Sequence, residues 1–148
     1  MLRASAREAA TARGLPDVAR AFGDVGSACA GCHTALEVQP EFDSEAIPPA
    51  AEDAPAAMRR HQWAAERMWQ GLVGPAPDRY REGALVLAEA PLHPAELVVG
   101  QAPPIEVAQL AERVRDVAGQ ASRAASDEER AALYGRLLAT CAACHSQQ

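Results

Sequence analysis

The chain has 148 residues, 49% of them hydrophobic but only 4% aromatic, a formal net charge of −6, and fourteen basic residues that are all arginine. This is one domain's worth of sequence, long enough to bury a core of its own. An acidic chain without a basic stripe argues against a nucleic-acid partner, and the absence of any run of 18 consecutive apolar residues argues against a membrane span.

Taken in order, residues 2–12 read as a short alanine-rich helix broken by "GLP". Pro16 then suits the first turn of a second helix that runs into "SACAGCH". Residues 39–53 ("QPEFDSEAIPPAAED") form an acidic, proline-bearing linker. "APAAMRRHQWAAERMWQGLVG" predicts a helix with Met58, His61, Ala65, Met68 and Leu72 on one stripe. "APDRYREGALVLAEAPL" predicts another, stopped by Pro91 and Pro94, and 91–104 is a loop. Val107, Leu110, Val114, Val117 and Ala121 recur at spacings of three and four, again a helical face. Ser126 and Glu129 make a capping box opening the last helix, along which Leu133, Leu137, Cys141, Cys144 and His145 share a side.

All four cysteines fall in two copies of Cys-x-x-Cys-His: Cys29, Cys32 and His33, then Cys141, Cys144 and His145. Sliding the sequence by 112 positions superposes them and also matches Gly23 with Gly135, Phe22 with Tyr134, Ala19 with Ala131 and Arg3 with Arg115. Residues 1–38 and 113–148 therefore look like copies of one unit. Two thiols at this spacing suit thioether bonds to the vinyl groups of a porphyrin, with the following histidine on the iron, the pattern of c-type haem attachment. Other readings fit less well. A zinc site needs four thiolates converging, and its pairs usually lie closer together in turns. A thioredoxin-like pair follows a strand, and no strand pattern occurs. Two disulfides would leave the paired histidines unexplained. The expected cofactors are two covalent haems c, on Cys29 and Cys32 and on Cys141 and Cys144, with His33 and His145 as iron ligands. His61 and Met68 are candidates for a further ligand. Met58 shares their stripe, and His93 between two prolines is a weaker candidate. Trp63 and Trp69 suit bundle edges or packing against porphyrin.

The four helices ending in "YGRLLATCAACH" resemble the cytochrome c′ group of class II cytochromes c, four-helix bundles with the haem motif near the end of the last helix. The resemblance covers about 55–148. It implies an all-α fold: a haem-binding bundle over 54–148, the 39–53 linker, and an N-terminal helical hairpin over 1–38 that repeats the last hairpin and its motif. Residues 1–38 resemble only the second half of a preceding bundle, so their apolar face is expected to find the other bundle, a second copy or a missing N-terminal hairpin. The implied function is electron transfer with redox partner proteins. Gas binding at an open sixth position is the alternative. No acid–base pair suggests an enzyme such as a dihaem peroxidase. Haem c is attached outside the cytoplasm, so a periplasmic or otherwise extracytoplasmic location is expected. Yet "MLRASAREAATARGLPDV" has no apolar core of a signal peptide, which suggests a fragment or a removed signal.

Overall fold

Alanine-rich runs bounded by proline and glycine become helices in the computed structural model, which describes residues 2–43, 46–49, 54–89 and 104–146, with only the backbone for 54–56. Six helices follow one another, and no strand occurs among the described residues: α1 Leu2–Thr11, α2 Leu15–Ala35, α3 Ala54–Val73, α4 Pro77–Glu89, α5 Ile105–Ala121 and α6 Asp127–His145. Among the described residues the fold is all-α. No described helix is long and apolar enough to cross a membrane. The loop carrying His93 lies outside the described residues.

Local chemistry sets the ends. Pro16 sits in the first turn of α2, where its missing N–H costs nothing. At α6 the Ser126 hydroxyl accepts from the Glu129 N–H at 3.1 Å, and the Glu129 carboxylate reaches back to the Ala125 N–H at 2.9 Å. Three acidic residues in that first turn also suit the positive end of the helix dipole.

Helices α3 to α6 pack in sequence, α3 on α4, α4 on α5 and α5 on α6, and α3 also touches α6. Their shared core holds Met68, Leu72, Tyr80, Leu87, Val117 and Leu137. The Tyr80 hydroxyl, buried with its ring, donates to the Arg130 carbonyl at 2.8 Å and fixes the start of α4 against the start of α6. Arg67 and Glu82, 2.7 Å apart, cross-link α3 and α4.

The amino-terminal copy docks on this core through α2, which lies chiefly against α6 and secondarily against α3. The buried stripe of α2 is small throughout: Ala19, Gly23, Gly26 and Ala30. A side chain at Gly23 would run into the Ala131 carbonyl, and one at Gly135 would lie 3.0 Å from the Arg20 Cα and 3.1 Å from the Ala19 oxygen. Ala19 thus faces Gly135 while Gly23 faces Ala131, so the helices run antiparallel. These are the positions that the repeat equates. The two copies meet through the same residues, as in a self-complementary two-fold contact. With this register the two cysteine motifs lie at opposite ends of the pair, about 30 Å apart along the axes from centre to centre.

Candidate functional site

The second motif lies in the wall of a cavity of about 340 Å³. Cys141, Cys144 and His145 come from the last two turns of α6, Met58 and His61 from the first half of α3 with Ala65 one turn further on, and Ala111 and Val114 from α5. Antiparallel packing of α3 and α6 produces this meeting, because the beginning of one helix lies beside the end of the other. Leu138 and Gln62 complete the lining. Such a mostly apolar hollow with a few convergent polar groups is the usual form of a ligand site, and its size is at the lower end of the usual range.

Burial shapes the chemistry of the thiols. Cys144 is buried, Cys141 is half-buried, and His145 is exposed. Removal from water pushes the Cys141 thiol up to about 11, and the neighbouring Cys144 sulfur acts in the same direction. The Cys144 thiol is raised by burial as well. Both sulfurs are therefore held as neutral thiols at neutral pH, poor ligands for a cation but able to form a thioether.

Met68 does not reach this cavity. Its side chain is fully buried, packed over Gly83 in the α3–α4 contact, and the spacing that puts it on the His61 stripe carries it two turns too far along α3. Met58, one turn before His61, is the methionine that lines the cavity. Trp63 is buried in the core. Trp69 lies between the two copies, with its ring 4.9 Å from Phe22 and 5.8 Å from Tyr134.

At the first motif the surroundings differ. Cys32 is exposed, Cys29 is half-buried, and a methyl group at Gly31 would meet nothing within 4 Å. Burial again raises the Cys29 thiol, with the Cys32 sulfur contributing. His33 reaches the far end of α3, where its Nδ1 lies 2.8 Å from the Val73 carbonyl oxygen. A carbonyl only accepts, so Nδ1 carries a proton, and in the neutral ring Nε2 is the nitrogen with the lone pair. This partner is invisible to motif reading, since it is a backbone atom 40 residues away. One sequence signal accompanies it. Gly26 occupies the repeat position that Leu138 holds in the second copy, and a Cβ there would sit 2.6 Å from Leu72 and 2.8 Å from Trp69. The missing side chain admits α3.

Among the described residues no three His, Cys, Asp or Glu side chains converge as a cage for a bare metal ion. The cysteines and histidines of each motif are instead strung along one helix end. This disposition fits a planar group that brings four metal ligands of its own, and the cavity against α3 offers a mostly apolar wall beside the second motif. Comparison with protein families, with characterised proteins and with solved structures finds no match to this chain.

Proposed function

We propose that this chain is a dihaem c-type cytochrome whose function is electron transfer. The observation that carries the reading is the cavity that gathers Cys141, Cys144 and His145 from α6 with His61 and Met58 from α3. Cys141 and Cys144 hold the second haem and Cys29 and Cys32 the first, with His145 and His33 on the irons. A bound haem supplies a one-electron iron couple, tuned by axial ligand, burial and second-shell hydrogen bonds. The chain's part is to fix the two sites at opposite ends of α2 and α6, to shield the second from water with α3 and α5, and to offer His61 across the cavity from His145. A second imidazole there holds the potential below that of a thioether ligand, since sulfur favours the ferrous state.

In this reading α3 to α6 form the four-helix bundle of the cytochrome c′ type, with the haem motif closing the last helix. The N-terminal hairpin α1–α2 is a partial second unit. The protein works outside the cytoplasm, where haem c is attached, and its partners are other redox proteins. It catalyses no reaction of its own.

A second reading, gas binding, rests on the open surroundings of Gly31 and Cys32 at the first motif. An absorption spectrum separates the two. Produced with a haem-attachment system, the protein should retain its colour after denaturation and acid–acetone extraction, with two haems per chain by mass. Six-coordinate low-spin iron at both sites supports electron transfer. A high-spin fraction that takes up carbon monoxide supports gas binding. An unmodified chain recovered from a competent periplasm would remove both readings.

A further inference from the structure

Helix α3 touches both motifs. Its first half brings Met58 and His61 to the cavity of the second motif, and its last residue meets the histidine of the first. The second of these contacts has no counterpart at His145, which is exposed and whose ring makes no hydrogen bond among the described residues.

The acceptor has a definite electrostatic character. The last four carbonyls of a helix lack partners within it. In α3 the Gln70 and Gly71 carbonyls are taken by the Gly74 and Ala76 N–H groups of the following turn. Val73 instead turns its oxygen to the His33 ring. The negative ends of the α2 and α3 dipoles therefore converge on His33, which lies in the last turn of α2. A hydrogen bond from Nδ1 to such a carbonyl makes Nε2 a stronger donor, and a stronger donor stabilises the more highly charged iron.

We infer that the C-terminal carbonyl of α3 is a positioning group for the first haem: it holds the His33 ring in the Nδ1–H form, presents Nε2 to the iron and keeps the potential of that site low. The inference rests on the dihaem reading and adds that the two proximal histidines differ, because the ring of one is hydrogen-bonded to α3 and that of the other is not. It also explains Gly26. The His33 bond requires α2 and α3 to approach closely near their C-termini, and Gly26 is where a side chain would part them.

The test uses two substitutions of the same chemistry on one helix. In Gly26→Ala the new methyl group meets Leu72 and Trp69, whereas in Gly31→Ala, inside the haem motif itself, it meets nothing. In the holoprotein, Gly26→Ala should shift the reduction equilibrium of the first haem about tenfold toward the ferrous form, equivalent to about +59 mV for one electron. Gly31→Ala should leave it in place, and both variants should leave the second haem unchanged. Equal potentials in the two variants and the wild type would overturn the inference. Should Gly26→Ala fail to fold, the unmodified protein decides by nitrogen-15 NMR. The His33 Nδ1 proton should exchange slowly with solvent, and fast exchange at His33 would overturn the proposal. The haem reading fails separately, by a wild-type mass without haem on Cys29 and Cys32.

Discussion

Along α2 and α6 equivalent positions of the repeat stand in different surroundings. Phe22 is 44% exposed and its counterpart Tyr134 only 4%. Val25 is half-buried where Leu137 is fully buried, and Cys32 is exposed where Cys144 is buried. The helices that carry these residues are alike, so the difference comes from what lies over them. Helices α2 and α6 lie on each other; beyond that, α6 is covered by α5, itself backed by α4, and by α3, while α2 has α1 and the end of α3. The comparison separates two properties that a repeat makes look inseparable. A motif can be complete in its bonding groups and still lack a pocket.

The largest expected effect comes from deleting the thiols of each copy in turn. On the proposed dihaem reading, Cys141→Ala with Cys144→Ala should lose one haem of two and leave the α3–α6 end hollow, with a lowered unfolding midpoint. Cys29→Ala with Cys32→Ala should lose the other haem at little further cost to the core. Equal destabilisation by the two pairs, read by thermal melting, would mean that the copies are equally covered.

His61→Ala sharpens the comparison at the ligand. On the proposed reading the second haem, and only that one, should become high-spin or accept carbon monoxide, changing about half of the absorption spectrum while the first haem keeps its bands. An unchanged spectrum would pass the role to Met58, which shares the cavity, and not to Met68, which lies in the α3–α4 contact.

Packing gives a third contrast. Leu137→Ala removes a fully buried side chain from the core and should cost about 3 kcal/mol in urea unfolding, in the usual range for such a cavity. Val25→Ala at the equivalent position should cost less than about 1 kcal/mol. Similar losses at both positions would show that something covers α2 in solution.

The smallest effect is in the haem-free chain at alkaline pH. Burial pushes the Cys141 thiol from its ordinary value of 9 up to about 11. The folded state therefore holds the proton more tightly than the unfolded chain. The stability this contributes is complete below pH about 9 and is lost as pH rises toward 11, on the order of 2 kcal/mol. Cys141→Ala should flatten the fall in urea midpoint over that interval. An unaltered slope would assign the loss to other groups, among them Tyr80 and Tyr134, whose hydroxyls burial also raises.

Much of this molecule is legible in its sequence because its signals are local. Helix starts follow from Pro16 and from the Ser126–Glu129 box, whose hydrogen bonds span at most four residues. The stripes of Val107, Val114, Val117 and Ala121 mark the buried face of α5, since a period of 3.6 residues admits one inward side. The chemistry of the cysteine motifs is local too, being contained in five residues. The seating of His61 beside Cys141 and Cys144 needed one more assumption, that the first and last helices of a bundle run antiparallel. What the tertiary structure alone decided depends on contacts between distant segments. The same stripe that carries His61 to the cavity also offered Met68, and only the packing of Gly83 against it shows that α4, not the cavity, receives that side chain. Likewise the self-complementary fit of Ala19 and Gly23 on Gly135 and Ala131, and the reach of His33 to the Val73 carbonyl, join residues 40 or more apart. Small side chains and backbone oxygens carry no pattern that names their partner, so the pairing exists only once the helices have met.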